Sequence, residues 1–444
     1  MNAPVFIPFK KRAKFFMPHF PIFTGNLNSL DTSSITFLLE KLHNPQHKLK
    51  NVIHVVGTNG KGSSCAYLKH ILNAGGFTTC VFTSPHLHRA NERIDILGEY
   101  ISDLELFTLT EKIRFLCEEH KINITLFESL TLVAILAFSK VKADFYIFEA
   151  GMGGELDATN IFLQNNIAGV LVTSISYDHV KFLGSNLNSI ITHKLGVCKA
   201  NKPVVFQPFS GEILYTILEQ VAQKKAVPQF FGKDYNVFKV EFENGSFGIE
   251  FEGKRNLILP LPPLQGEHQI YNLAGVLALL EAIKVEVLEE QIAQGILNTK
   301  WAGRLEKVIE KDYISLLPTN SEIWFDGAHN AGGAQVASSW LKSQNPELIN
   351  ILIVSKTRGS EVQNFILAFK DVIEYGIAFE GKGEIYPEFA TVLIKEFERQ
   401  KIKHSCASGI KDALKQITKT IKVPVRVLIC GSLYIARDLS FELM

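Results

Sequence analysis

The chain has 444 residues, 46% of them hydrophobic and 20% charged, with a formal net charge of +1. That length accommodates two or three domains with sizeable cores, and so even a charge balance gives no general case for a nucleic-acid or membrane partner. The six cysteines, at 65, 80, 117, 198, 406 and 430, form no CxxC pair, which argues against a disulfide framework or a zinc cage and fits a reducing cytoplasm. No apolar run reaches the roughly 18 residues that a membrane span needs.

The N-terminus, MNAPVFIPFKKRAKFFMPHF, is basic and aromatic. It lacks a continuous apolar core followed by a small-residue cleavage site, so it reads as a solvated arm packed by its phenylalanines, not as a signal peptide. Beyond it, short β-branched or aromatic runs alternate with helical patterns. Strands are predicted at 52–56, 79–83, 145–149, 167–174 and 203–207, and helices at 63–74 and 130–140. Such alternation predicts a parallel sheet with helices on both faces. The stretch VFKVEFENGSFGIEFEG (237–253) breaks the rhythm, and its alternation about Asn244-Gly245 predicts a β-hairpin. PLPPL (260–264) is a stiff break before a helix at 271–282. A second α/β pattern starts near Trp301, with strands at 323–325, 349–354 and 425–430. The domain boundary falls in the 301–308 stretch, dividing the chain into 1–302 and 303–444.

The chemistry-bearing segments sit where strands end. In HVVGTNGKGSS (54–64) an apolar strand meets three glycines, a lysine and two serines. A strand whose glycines feed a helix N-terminus is a ready anion site, because backbone N–H groups point outward and the helix dipole favours negative charge. Lys61 would reach terminal phosphate oxygens, and a serine hydroxyl would coordinate Mg²⁺. The order Gly57-x-x-Gly60-Lys61-Gly62-Ser63 is not the GxxxxGK[ST] spacing, since a glycine separates lysine from serine. By itself the loop points to a nucleoside triphosphate and no further. FEAGMGGELDATN (148–160) places Glu149 at the end of a strand expected to run parallel to the first, a good position for a metal. SYDHVKFLG (176–184), THKLGV (192–197), WAGRLE (301–306) and WFDGAHN (324–330) add polar groups after further strands.

Taken together, these motifs resemble the folylpolyglutamate synthase/dihydrofolate synthase family, within the wider Mur ligase group. GTNGKGSS, FTSPHL (82–87), NERI (91–94), TLFE (125–128), EAGMGGELDATN (149–160), DHVKFLG (178–184), HKLGV (193–197), GEHQIYNLA (266–274), WAGRLE and DGAHN stand in family order from about residue 50 to 330. GSLYIARD (431–438) looks like the family's closing segment. The resemblance implies an N-terminal P-loop ATPase domain with a mostly parallel sheet and a small β-hairpin region, followed by a C-terminal Rossmann-like α/β domain. It implies ATP-driven amide bond formation. A substrate carboxylate attacks the γ-phosphate and becomes an acyl phosphate, and the α-amine of glutamate then displaces phosphate.

The resemblance also implies a role for each matched residue. Gly57, Thr58, Asn59, Gly60, Lys61, Gly62 and Ser63 would cradle ATP, with Lys61 on the β- and γ-phosphates. Ser84 and Glu149 would hold one Mg²⁺. His179 and Lys194 would hold a second, Lys194 aligning with a lysine that family members carry carbamylated. Asn272, Arg304 and Asp326 would contact the nucleotide, and His329 would lie near the γ-phosphate and the incoming glutamate. Thr125, Phe127, Asp157 and Ala158 align with positions that cradle the pterin, so dihydropteroate, tetrahydrofolate or both are the expected acceptors. The chain departs from the family at His193, usually glutamate, at Leu195, usually alanine, and at Ala302, usually proline. The usual lysine-aspartate pair is not clear in VSKTRGSE (354–361). A monomeric cytoplasmic ligase is expected. A cell-wall-precursor ligase and a non-catalytic nucleotide-binding protein of the same fold are the competing readings.

Overall fold

The computed structural model describes residues 31–383 and 386–441; the basic, aromatic arm lies outside them. Among the described residues no helix is long and apolar enough to cross a membrane. The chain divides into two compact units, one holding residues 31–263 and 268–301, the other 264–267 and 302–441.

The first unit is built on an eight-stranded sheet of order β4-β3-β2-β5-β1-β6-β7-β8. Its strands are β1 (Val52–Val56), β2 (Thr79–Phe82), β3 (Ile94–Ile96), β4 (Glu99–Tyr100), β5 (Phe145–Glu149), β6 (Ile167–Val172), β7 (Pro203–Phe206) and β8 (Val227–Phe230). The six from β2 to β8 run parallel, and β3 and β4 add an antiparallel edge. The central strands are buried on both faces, which is why they read as unbroken apolar runs. Helix α1 (Lys61–Ala74) follows β1, α2 (Leu126–Phe138) precedes β5, α3 (Leu187–Leu195) precedes β7, and α4 (His268–Ala282) lies further along the chain. Every residue of α2 from Ser129 to Phe138 is buried, so it is apolar all round and not amphipathic. It starts four residues before the predicted 130, because Thr125 and Glu128 form a capping box: Glu128 N donates to Thr125 Oγ1 (3.2 Å) and Thr125 N to Glu128 Oε2 (2.7 Å).

The predicted hairpin is real but has a third strand. β9 (Asn236–Glu241), β10 (Phe247–Glu252) and β11 (Asn256–Pro260) form an antiparallel sheet of their own. The extra turn at 253–255 is held from outside the segment, by the Glu281 carboxylate, which accepts from the amides of Lys254 (2.8 Å) and Arg255 (3.0 Å). Nothing local in EGKRN announces it.

The second unit carries a six-stranded sheet of order β12-β13-β17-β14-β15-β16. Its strands are β12 (Glu306–Lys307), β13 (Glu322–Phe325), β14 (Ile349–Val354), β15 (Tyr375–Phe379), β16 (Lys403–Ala407) and β17 (Val425–Cys430). All are parallel except β12. The helix after β13 is α5 (Ala331–Ser343). Its Trp340 packs with Leu341, Leu352, Phe365 and Phe369 in this unit's own core. Both units are α/β, each with a mixed sheet.

Candidate active site

In a parallel sheet the exits of neighbouring strands share one edge, and ligands bind there. β1 lies between β5 and β6, so the loop at 57–60 is flanked by both of their exits. Its shape is forced from three sides. Gly57 has φ +151°, and a Cβ there would lie 1.9 Å from Thr173 Oγ1. Gly60 has φ +86° and faces Asn272, whose Oδ1 a Cβ would meet at 2.5 Å. Gly62 lies under the Trp301 indole, whose Nε1 would be 2.7 Å from a Cβ. The loop is also tied to the β6 exit: Thr58 N donates to Ser174 O (2.6 Å), Asn59 N to Ser174 Oγ (3.0 Å) and Ser176 N to Thr58 Oγ1 (3.0 Å).

Asn272, on the first turns of α4, is itself clamped. Gln207 Nε2 donates to its Oδ1 and its Nδ2 donates to Gln269 Oε1, both at 3.0 Å. Gln269 Nε2 reaches buried Ser63 Oγ at 3.4 Å. Thus Ser63, Gly60 and Asn272 form one packed group around the first turn of α1.

Two lysines meet at this loop. Lys61 Nζ donates to Gly57 O (3.1 Å) and Thr58 O (2.9 Å). Lys194 Nζ, from the last turn of α3, donates to the same Gly57 O at 2.8 Å. Burial, and then the nearby Lys61 charge, push the Lys194 amine down to about 7, against the pull of Asp178 and Asp157. A lysine held that far below its ordinary value is partly neutral at physiological pH and therefore nucleophilic.

Glu149 ends β5 opposite Val55 of β1 and is buried; its Oε2 accepts from Ser84 N at 3.0 Å. That bond sets Ser84 beside the carboxylate. The Ser84 loop is braced from behind: Glu92 accepts from the amides of Leu87 (2.8 Å) and Arg89 (2.9 Å), and Arg93 Nε donates to His86 Nδ1 (2.9 Å). This gives the NERI segment a scaffolding role. His179 has φ +50° and a ring 41% exposed, with the Asp178 carboxylate 3.8 Å from Nε2. Among the described residues no three His, Cys, Asp or Glu side chains converge. Ser84 and Glu149 are held together and could offer Mg²⁺ a single carboxylate and a hydroxyl, the lean donor set such an ion accepts when phosphate oxygens and water fill the rest of its shell.

On the far side of β5, Phe127 lies over the glycine turn: a Cβ on Gly151 would meet its ring at 2.5 Å. Thr125 is engaged in capping α2. Asp157 and Ala158 are buried, and both oxygens of Asp157 accept from residues of its own loop.

The second unit has its own cluster at the β13 exit. Asp326 is buried, and accepts from Leu305 N and Ala328 N, each at 2.8 Å. Burial raises its pKa and the charge of Arg304 opposes the rise. Arg304 Nη1 donates to Gly303 O at 2.9 Å. His329 Nδ1 lies 3.2 Å from Gly327 O, and Lys356 Nζ donates to His329 O at 2.6 Å. Lys356 is fully buried, its ammonium 3.9 Å from the Phe365 ring centroid. It lies within VSKTRGSE, where the sequence shows no clear lysine-aspartate pair. A lysine two residues past the end of an apolar strand was the available signal.

The chain matches the Mur ligase middle domain over residues 55–280 and the C-terminal domain of dihydrofolate synthetase over residues 310–443. It is 28% identical to the dihydrofolate synthetase of Saccharomyces cerevisiae over 425 residues, 92% of this chain and 97% of the relative. It is 30% identical to the folylpolyglutamate synthase of Lacticaseibacillus casei over 419 residues, 91% of this chain and 92% of the relative. Escherichia coli FolC in complex with DHPP and ADP superposes with a TM-score of 0.81 at 26% identity, covering 95% of this chain and 94% of that one. The chain therefore belongs to the folylpolyglutamate synthase/dihydrofolate synthase family of ATP-dependent Mur ligases.

Proposed function

We propose that this ligase joins L-glutamate to the carboxylate of dihydropteroate, forming dihydrofolate, and extends folates by the same chemistry. The observation that carries the reading is the convergence of the Lys61 and Lys194 amines on Gly57 O, with Glu149 at the neighbouring strand exit. The Lys61 cation suits the charge that builds up during phosphoryl transfer, while Glu149 and Lys194, once carbamylated, would offer anionic oxygens to Mg²⁺ at the same sheet edge. The likeness of residues 310–443 to the C-terminal domain of dihydrofolate synthetase supports dihydropteroate as acceptor. The Lacticaseibacillus relative supports polyglutamylation.

In this reading the units are a P-loop ATPase domain and a Rossmann-like glutamate-ligase domain. Lys61 leaves the loop carbonyls to bind the β- and γ-phosphates, while Gly57, Thr58, Asn59, Gly60, Gly62, Ser63 and Asn272 shape the cradle. Ser84 and Glu149 would hold one Mg²⁺, and His179 and Lys194, the latter as a carbamate, would hold a second; bound there, the ions would neutralise charge on the phosphate oxygens. The acceptor carboxylate oxygen attacks the γ-phosphorus, the bond to the bridging oxygen breaks and ADP departs. A carboxylate is a poor acyl donor because oxide would have to leave, and the acyl phosphate removes that obstacle. The glutamate amine then attacks the acyl carbon and phosphate leaves with the former carboxylate oxygen. Arg304 and Asp326 are assigned to the nucleotide, and His329 to the γ-phosphate and glutamate. Phe127 supplies the apolar face for the pterin, and Thr125, Asp157 and Ala158 shape its cradle.

An acceptor panel tests the assignment. With ATP, Mg²⁺ and glutamate, dihydropteroate is expected to yield dihydrofolate, and tetrahydrofolate its glutamylated product. If tetrahydrofolate is extended and dihydropteroate is untouched at about millimolar concentration, the top of the ordinary KM range, dihydropteroate is not the acceptor.

A further inference from the structure

His54 is the polar member of the apolar strand VIHVV and is buried. It precedes the nucleotide loop by three residues, yet its side chain is tied elsewhere. Its Nε2 lies 2.7 Å from Thr159 Oγ1, 105 residues along the chain. The Thr159 hydroxyl is bonded in turn to Asp157 Oδ1. That oxygen also accepts from Thr159 N at 2.9 Å, and Oδ2 accepts from Met152 N at 2.7 Å.

Burial raises the Asp157 pKa, and the hydrogen bonds to its carboxyl oppose the rise. When Asp157 is ionised it only accepts, so the Thr159 hydroxyl proton goes to it and His54 Nε2 donates to Thr159; in either protonation state the three side chains form one hydrogen-bonded chain. Burial, reinforced by the Lys199 charge, depresses His54 to about 3, so the ring is neutral and carries a single N–H. Asp157 then has three donors, all from its own loop, so it ties the loop together and keeps acceptor capacity to spare.

The loop it holds touches two functional parts. One end is the Gly151 turn beneath the Phe127 ring. The other end abuts α3: Glu155 N donates to His193 O at 2.7 Å, and a Cβ on Gly154 would lie 2.5 Å from Lys194 O.

We propose that His54 is a positioning residue for the acceptor site: through Thr159 it fixes Asp157, and through Asp157 it fixes the 151–155 loop beneath Phe127, without itself touching substrate. The identity of the acceptor rests on the function proposed above; the loop's dependence on His54 does not. The test uses the full chain with His54→Leu, Thr159→Val and the conservative Thr159→Ser, each checked for folding by thermal melting. Amide hydrogen exchange over 150–160, measured without ligand, is expected to quicken about tenfold in the first two variants, the scale of one lost hydrogen bond. It is expected to stay near wild type in Thr159→Ser and to stay unchanged over 57–64 in all three. The KM for dihydropteroate is expected to rise about tenfold while kcat and the ATP KM move by less than about twofold. His54→Leu combined with Thr159→Val is expected to be no worse than Thr159→Val alone, since both cut one chain. Should His54→Leu fail to fold, Thr159→Val against Thr159→Ser reads the same link. Wild-type exchange over 150–160 in folded Thr159→Val, or equal rises in the acceptor and ATP KM values, would overturn the proposal. A wild-type enzyme that turns over no dihydropteroate would overturn the acceptor assignment alone, and exchange would still decide the role of His54.

Discussion

Lys61→Ala is expected to reduce kcat/KM by about a thousandfold or more, the scale seen when a charge-stabilising group is removed from an acyl- or phosphoryl-transfer site. The fold is expected to survive. The Lys61 ammonium is bonded to Gly57 O and Thr58 O, both in its own partly exposed loop. Losing these bonds costs at most about 1–2 kcal/mol, because water replaces the amine. The loop's shape rests on other contacts: the Gly57 approach to Thr173, the Gly60 approach to Asn272 and the three bonds from the β6 exit. Steady-state kinetics with a melting curve on the same preparation check both halves. Near-wild-type turnover by a folded variant would remove Lys61 from the phosphate site.

Lys194→Ala is expected to lose most activity, and short carboxylates such as formate or acetate are expected to restore part of it. An ordinary lysine, with a pKa near 10.4, is neutral in only about one molecule in a thousand at pH 7.4. Burial and the adjoining Lys61 charge bring Lys194 down to about 7, so a large share is free base at neutral pH and available to CO₂. The sign is definite. The depressed value leaves the amine neutral above about 7 and cationic below it. Bicarbonate-stimulated activity is therefore expected to fall as pH drops through 7 and to level off above. A carbamate supplies the anionic oxygen that a hard ion prefers. It also replaces a cation that now shares one carbonyl with Lys61. With ¹³C-bicarbonate, wild type is expected to show a carbamate resonance that Lys194→Ala lacks. A free amine at Lys194 in active, Mg²⁺-loaded enzyme would contradict the assignment.

Much of the scaffold was legible because buried parallel strands write themselves as short β-branched runs. The runs at 52–56, 145–149, 349–354 and 425–430 coincide with β1, β5, β14 and β17. Misjudged ends have local causes. TLFE was read for substrate contacts, yet Thr125 and Glu128 also cap α2, which moved that helix forward. The third strand of the small sheet depends on Glu281, about 27 residues beyond the turn it holds. The site shows the same division. A glycine-rich loop, a strand-end carboxylate and the lysine at 194 are visible as residue types. Their relations are tertiary: Lys194 and Gly57 are 137 residues apart, and His54 and Thr159 are 105 apart. The sequence places Asp157 among the residues expected to cradle a pterin; that its oxygens also accept from Met152 N and from the amide and hydroxyl of Thr159 is visible only in the fold.

Activation of the acceptor carboxylate by phosphorylation is the central step, and oxygen transfer measures it directly. Dihydropteroate carrying ¹⁸O in its carboxylate, supplied with ATP, Mg²⁺ and glutamate, is expected to deliver one ¹⁸O atom to inorganic phosphate for each amide formed. The attacking carboxylate oxygen becomes the bridge of the acyl phosphate, and it leaves with phosphorus when the glutamate amine adds. Mass spectrometry of the phosphate and of the dihydrofolate product reads both ends of the transfer. Amide formation with all ¹⁸O retained in the organic products, or released to water, would contradict an acyl-phosphate ligase.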